Sequence, residues 1–351
     1  MVNKIINAIS LHSGGGLTYL YFLNHYLDNE SNVLILDYRV KSKIIFKKSK
    51  IFFIKKGIFR NIRIFSIRPF FYLKNYLNFN KNQNVFTEIY LNGIPPFIRF
   101  SKTKTFIFCQ NRLVFEKIPK LINLNFNLNL NLIKSKLIVI ISKTLFNLFI
   151  RRKDIIIVQT DSMLNLLKQT LVNKIILQKD LWGEYDKHAL KRIININKVN
   201  VNKGLEKYLK TLKENNIIFF YPASYYEHKN HRNLIEAFNL LSHRNIKPYK
   251  LILTLDETQF KEKIRSNTKN IIFLGNLNYF EILDIYRFVD YMIFPSFSES
   301  YGLPLIEAKH NNIKIIASDL PYVFDVCEPF MIFNPLIIQE IYQKISCILE
   351  N

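Results

Sequence analysis

The sequence predicts an α/β fold, with two doubly wound parallel-sheet domains in one chain. Three observations carry this. Short, continuously apolar runs rich in Ile, Val and Phe recur along the chain, and segments of helical period lie between them. Strands apolar on both faces belong to parallel sheets covered by helices, whereas half-exposed antiparallel strands alternate. At 351 residues and 49% apolar composition, the chain exceeds the usual size of one core and can fill two.

The strand runs come in two series. "KIINAIS" (4–10), "NVLILD" (32–37), "NVFTEIY" (84–90), "KTFIFCQ" (104–110) and "DIIIVQT" (154–160) form the first. "NIIFFYPAS" (216–224), "KLILTLD" (250–256), "NIIFLG" (270–275), "YMIFPS" (291–296) and "KIIASD" (314–319) form the second. Helical patterns such as "RNLIEAFNLLSHR" (232–244) and "FEILDIYRFVD" (280–290) separate the strands of the second series. Between about 180 and 215 the rhythm lapses into Asn- and Lys-rich sequence, which sets the domains at 1–195 and 196–335, followed by an amphipathic terminal helix over 336–351. Doubly wound domains bind ligands at the carboxyl ends of their strands, so the expected cleft lies between the two.

Charge and cysteine usage narrow the setting. The chain carries 50 Lys and Arg against 27 Asp and Glu, a formal net charge of +23, which attracts anionic partners. A composition rich in Lys, Ile and Asn throughout, as in "NLNFNLNLNLIKSK" (123–136), is the competing source of that charge. Residues 39–68 hold eleven Lys or Arg and no Asp or Glu, interleaved with Ile and Phe. Cations beside large apolar side chains suit an anionic membrane surface better than a nucleic acid. Cys109, Cys327 and Cys347 are scattered, odd in number and without CxxC spacing, which fits a reducing compartment. The N-terminus reads as a strand entering a loop rather than a signal peptide. "LIVIISKTLFNLFI" (137–150) is too short to span a bilayer and contains Lys143, so no transmembrane helix is expected.

Two stretches carry chemistry. In "SLHSGGGLTYL" (10–20), three of the nine glycines fall together at 14–16, after the first strand and before a helix, where backbone N–H groups can approach a phosphate or sugar. The stretch lacks G-x-G-x-x-G spacing and a P-loop ending, so a tight turn explains it equally well. In "PSFSESYGLPLIEAKHNN" (295–312), Glu299, Gly302, Pro304 and Glu307 lie within nine positions. Pro304 suits the first turn of a helix that carries Glu307, leaving Glu299 in the preceding loop. Eight residues of helix would separate two carboxylates by about 12 Å, beyond the roughly 5–9.5 Å of a hydrolytic acid pair. Backbone amides of Ser300, Tyr301, Gly302 and Leu303 at that helix start suit a diphosphate, and the flanking carboxylates suit hydroxyl groups, which together describe a nucleotide sugar.

"FPSFSESYGLPLIEA" resembles the E-x7-E signature of glycosyltransferase family 4. Further resemblances follow in that family's order: "SGGGLTYL", "QNR" at 110–112, "DIIIVQT", "YPASYYEHKNHRNLIEAF" at 221–238, "FLGNLNYFEILDIYRFVD" at 273–290 and "IIASDLP" at 315–321. The resemblance implies the GT-B fold, two Rossmann-like domains facing a central cleft, and a retaining glycosyltransferase that needs no metal or other cofactor. It implies that Glu299 contacts the donor sugar's hydroxyls, Glu307 the ribose, and the amides around Gly302 the diphosphate. Lys229, in "EHKNH", then neutralises the departing phosphates, and Gly15 and Gly16 approach from the N-terminal domain. Two positions depart from the family. Ser224 stands where an arginine is frequent, with His228, His231 and Arg232 as possible substitutes. Gln110, beside Asn111, stands where a histidine is frequent.

The expected reaction moves a hexose-type sugar from a nucleotide-diphosphate sugar to a glycan or polyprenyl-linked acceptor in surface-polysaccharide synthesis. The expected location is cytoplasmic, peripheral at the inner face of the plasma membrane, with no nucleic-acid partner. The terminal helix is expected to pack back on the N-terminal domain, as is common in this fold. The competing classes are a nucleotide-sugar-binding protein without turnover and a nucleotide-sugar epimerase.

Overall fold

The computed structural model describes residues 4–12, 14–54, 87–91, 93, 95–96, 103–116, 130–179, 203–241, 246–257 and 269–350. The chain divides into two compact units, 1–197 and 198–351.

The N-terminal unit is built on seven parallel strands: β1 (Lys4–Asn7), β2 (Asn32–Asp37), β3 (Lys50–Ile54), β4 (Thr87–Tyr90), β5 (Lys104–Phe108), β6 (Ile155–Val158) and β7 (Lys174–Leu177). Their spatial order is β3-β2-β1-β4-β5-β6-β7, so the direction of winding reverses between β1 and β4. Helices α1 (Gly14–Leu27), α2 (Leu130–Phe149) and α3 (Asp161–Lys168) accompany the sheet. The α3 start is fixed by Thr160, whose hydroxyl accepts the Met163 N–H at 3.3 Å. Ile107, Ile156, Val158, Met163, Leu167 and Phe146 fill one core cluster, and Ile5, Val33 and Ile35 anchor another.

The C-terminal unit repeats the scheme with six parallel strands: β8 (Ile217–Tyr221), β9 (Tyr249–Leu253), β10 (Ile271–Phe273), β11 (Tyr291–Phe294), β12 (Lys314–Ser318) and β13 (Met331–Phe333). The order β10-β9-β8-β11-β12-β13 places the reversal between β8 and β11, which pair at Tyr291↔Phe219 and Met292↔Phe220. Its helices are α4 (Lys203–Asn215), α5 (His231–Leu241), α6 (Tyr279–Ile285), α7 (Leu303–His310), α8 (Pro321–Phe324) and α9 (Ile338–Glu350). Asn278 and Glu281 form a reciprocal capping box that starts α6. The apolar face of α9, with Ile341, Ile345 and Leu349 buried, packs on α5 and β13 of its own unit.

All ten apolar runs singled out in the sequence are strands. Three short strands, β3, β7 and β13, escaped the pattern. β3 lies in the basic stretch 39–68 and takes the edge of its sheet. Part of that stretch is tied down: the Asp28 carboxylate accepts the N–H groups of Lys47, Lys48 and Ser49 at 2.9, 2.7 and 2.9 Å. Lys41 sits over the Tyr38 ring at 5.5 Å and Lys50 over the Phe52 ring at 5.7 Å. Residues 55–68 of the stretch and 123–129 of the low-complexity run lie outside the described residues. No helix among the described residues is long and apolar enough to cross a membrane.

Candidate functional site

The candidate site sits where winding theory places a ligand, at the carboxyl ends of β8 and β11 on either side of the reversal. After β8 the chain makes a 3-10 turn over Glu227–Lys229, closed by Asn230 in the left-handed conformation at φ 57°. Asn tolerates that conformation better than most residues. Its buried side-chain amide then donates to the carbonyls of Pro295 at 3.1 Å and Pro335 at 2.8 Å. The Phe297 N–H donates to the His228 carbonyl at 2.7 Å, so the loop after β8 is clamped to the loop after β11.

That clamp brings together Lys229 and Glu299, 70 residues apart, as an ion pair in which the ammonium donates to Oε1. Their side chains are 18% and 13% exposed, so the pair is screened little by solvent yet still reachable. The Ser296 hydroxyl donates to the same Oε1 at 2.7 Å. Ser296 is held in turn: Tyr221 Oη lies 3.1 Å from its Oγ, and the Tyr322 hydroxyl donates to its carbonyl at 2.8 Å. The Tyr221 hydroxyl also donates to the Lys229 carbonyl at 2.9 Å. Burial and the nearby Glu299 charge push the Tyr221 phenol well above its ordinary range, so it stays a neutral donor.

The second half of the motif is a helix start. Gly302 takes φ 74° ahead of α7, where a Cβ would be strained and would meet Leu305 Cδ1 at 3.1 Å. Pro304 follows in the first turn, where its missing N–H costs nothing. Ser300, Tyr301 and Leu303 are partly exposed beside it. Glu307, one turn further on, is buried, and the Tyr286 hydroxyl donates to its Oε2 at 2.8 Å. Burial pushes the Glu307 carboxyl up to about 7, and the bond from Tyr286 offsets part of that rise.

The possible substitutes for the missing arginine differ in kind. Ser224 is exposed on the loop after β8 and brings no charge. His231 is buried against the Tyr221 and Tyr225 rings, and its Nε2 faces the Ala223 carbonyl at 3.2 Å. Burial, reinforced by Lys229, pushes it down to about 3. His228, stacked on Tyr226 at 5.7 Å, is pushed down to about 4 by the same two causes in the same order. Both imidazoles are therefore neutral at pH 7. Arg232 is a cation, but it faces outward and bonds Glu236 at 2.9 Å.

In the N-terminal unit, taken by itself, the glycines do not form a loop ahead of a helix. Gly14, Gly15 and Gly16 are the first turn of α1. Gly15 is exposed, and a Cβ on Gly16 would meet Leu11 Cα and Cδ2, each at 3.3 Å, so close helix packing explains Gly16 without a ligand. Gln110 and Asn111 lie just past the carboxyl end of β5; Gln110 is partly exposed, and Asn111 is exposed and heads a 3-10 turn over Arg112–Val114. Sequence reasoning missed Ser296, Tyr221 and Asn230. The one signal available was "FPSFSES", which places a small hydroxyl residue directly after a buried strand.

Comparison with known proteins decides the class of the C-terminal unit. Residues 205–348 match the family model described as glycosyl transferases group 1. The C-terminal unit carries a group 1 glycosyltransferase domain. A curated relative, the O-antigen chain mannosyltransferase RfbU of Salmonella typhimurium, is 24% identical over 148 residues. That alignment spans 40% of this chain and 39% of the relative. Solved structures share the fold over 99% of the chain and 90% of their own. They include sucrose-phosphate synthase from Thermosynechococcus elongatus (12% identity, TM-score 0.68), Anabaena HepE in complex with UDP-glucose (15%, 0.65) and WaaG, a glycosyltransferase involved in lipopolysaccharide biosynthesis (12%, 0.63). The two parallel-sheet units thus match the fold of GT-B glycosyltransferase structures, and the residues that match the family model include Lys229, Glu299 and Glu307.

Proposed function

We propose that the chain is a retaining, metal-independent glycosyltransferase of the family 4 type. It moves a hexose-type sugar from a nucleoside-diphosphate sugar to a glycan or polyprenyl-linked acceptor in surface-polysaccharide synthesis, working at the inner face of the plasma membrane. The observation that carries this reading is the Lys229–Glu299 pair, fixed at the strand reversal beside the Gly302 helix start. A diphosphate leaving group needs a cation, a sugar needs an acceptor for its hydroxyl protons, and the two lie side chain to side chain. The O-antigen relative and the UDP-glucose complex support the substrate class.

In this mechanism the donor's diphosphate rests on the amides around Gly302, Lys229 approaches its oxygens, and Glu299 accepts from the sugar hydroxyls. Glu307 accepts from the ribose. The acceptor hydroxyl attacks the anomeric carbon as the bond from that carbon to the phosphate oxygen breaks. The negative charge arriving on the phosphate is met by Lys229, and the acceptor's proton passes to a phosphate oxygen. Gly15, Gly16, Gln110 and Asn111 are the proposed contacts from the N-terminal unit.

A thermal-shift screen against UDP-, GDP-, dTDP- and CMP-sugars tests the reading. A bound ligand at about 100 times its dissociation constant adds about 2.7 kcal/mol to stability. One diphosphate sugar is expected to stabilise the chain, and that gain is lost in Glu307→Ala. CMP-sugars, which carry one phosphate, serve as the negative control, and no response to any donor overturns the proposal. A binding protein without turnover is favoured only by Ser224, which leaves one phosphate cation missing. Product formation from the stabilising donor excludes it.

A further inference from the structure

We propose that helix α2 is a membrane-docking element whose outward face lies in the headgroup region of an anionic phospholipid bilayer. The inference deepens the membrane part of the reading above and depends on it only for what docking achieves. Surface helices of water-soluble units turn polar residues outward, and α2 does the reverse. At 3.6 residues per turn, Leu137, Ile140, Ile141, Thr144 and Leu148 share one stripe about 100° wide. Leu137 is 55% exposed, Ile140 46% and Leu148 69%. Phe146, on the opposite side, is fully buried with its ring edge-on to Phe115 at 4.8 Å. The apolar outer stripe is therefore not the helix's core face turned the wrong way, because the core face is already occupied.

Charge selects the occupant. From 117 to 153 the sequence holds eight Lys or Arg and no Asp or Glu. Arg151, Arg152 and Lys153 follow the helix directly and are exposed. A second copy of the chain, itself at +23, is repelled by such a surface, and a nucleic acid gives the exposed Leu and Ile side chains nothing to bury against. An anionic bilayer satisfies both, taking the aliphatic stripe into the acyl boundary and the cations among its headgroups. A helix of 20 residues is about 30 Å long, enough to lie along the surface over several lipids, while no described helix suits crossing. The described part of the basic stretch 39–68 fits this role less well, since its backbone is held by Asp28 and Lys41 and Lys50 sit over rings.

The test is co-sedimentation of the full chain with phosphatidylcholine vesicles, with and without 30 mol% phosphatidylglycerol. Binding is expected only with the anionic lipid and is expected to weaken with salt. Ile140→Glu combined with Leu148→Glu, and separately Arg151→Glu combined with Arg152→Glu, are each expected to weaken it at least about tenfold, since each cation near the surface is worth about 1 kcal/mol. Both variants are expected to keep the donor-induced thermal shift, which reads the C-terminal site and separates a failed docking model from a failed transferase model. Unchanged partition in both variants overturns the proposal. So does binding equal on neutral vesicles, or a change of oligomeric state in the Ile140 and Leu148 variant with vesicle binding intact.

Discussion

Glu307→Gln is expected to stabilise the chain at pH 8 while changing it little at pH 5. In the folded state the Glu307 carboxyl is pushed up to about 7 from an ordinary value of 4.5, because it is buried and takes only partial relief from Tyr286. A group whose folded value is raised holds its proton more tightly when folded. The stability it contributes is complete below 4.5, declines as pH rises and is gone above about 7. The gap between 4.5 and 7 corresponds to about 3 kcal/mol at its full extent. Glutamine keeps the shape and can accept from the Tyr286 hydroxyl, but it does not ionise. Urea unfolding of both chains at pH 5 and pH 8 measures the effect, and the difference between variant and parent should grow by about 2–3 kcal/mol across that interval, since a little of the loss has already occurred at pH 5. Parallel pH profiles for the two chains refute the reasoning, since they mean that Glu307 reaches water or a cation when ionised. The same variant should bind the nucleoside diphosphate more weakly, because a carboxylate accepts ribose hydroxyls better than an amide does.

Lys229→Met strands a mostly buried carboxylate, so a loss of about 3 kcal/mol in unfolding free energy should accompany a 10²–10³-fold loss in kcat/KM. Glu299→Gln releases the lysine without removing bulk; calorimetry should show tighter binding of the nucleoside diphosphate alone but a smaller advantage for the sugar-bearing donor, and equal weakening of both ligands contradicts the assigned roles. Gly302→Ala should cost about 1–2 kcal/mol in a thermal melt, from a left-handed backbone and the 3.1 Å approach to Leu305. Asn230→Ala removes two buried hydrogen bonds and a left-handed residue suited to its place, so it should lower both stability and kcat/KM, whereas Asn233→Ala, which loses one bond to Pro335, should lower stability alone.

Much of this was legible because it depends on local pattern. Doubly buried strands leave continuous apolar runs, and "NIIFFY" and "YMIF" could be read as neighbours in kind before they were known to be neighbours in space. Glycine and proline mark α7 because each has one conformational reason to be where it is. The remainder depends on contacts that no window of sequence contains. Asn230 works by bonding carbonyls 65 and 105 residues away, and Ser296 by joining Tyr221 to Glu299 across 75 residues and three. The short strands β3, β7 and β13 were missed because three to five residues supply too little period to stand out. The glycine triplet was placed one turn early, since glycine permits a helix start as readily as a turn and only Leu11 beneath Gly16 decides between them.

The two glutamates of one motif end in opposite surroundings, and the difference follows from where each leaves the sheet. Glu299 emerges in the loop five residues after the end of β11, so its oxygens meet what the neighbouring loop offers: an ammonium and a serine hydroxyl, both clamped through Asn230. Glu307 emerges after a full turn of helix has carried the chain back over the sheet, and it meets the phenol of Tyr286, which itself belongs to the core. In the proposed reaction, a carboxylate beside a cation suits a position where phosphate charge is balanced against sugar hydroxyls as the donor arrives. A carboxyl beside a neutral donor suits a hydroxyl pair that brings no charge. Spacing of eight residues is what produces this division: a shorter interval would leave both carboxylates in the loop competing for Lys229, and a longer one would carry the second past the first turns of α7 and away from the strand reversal.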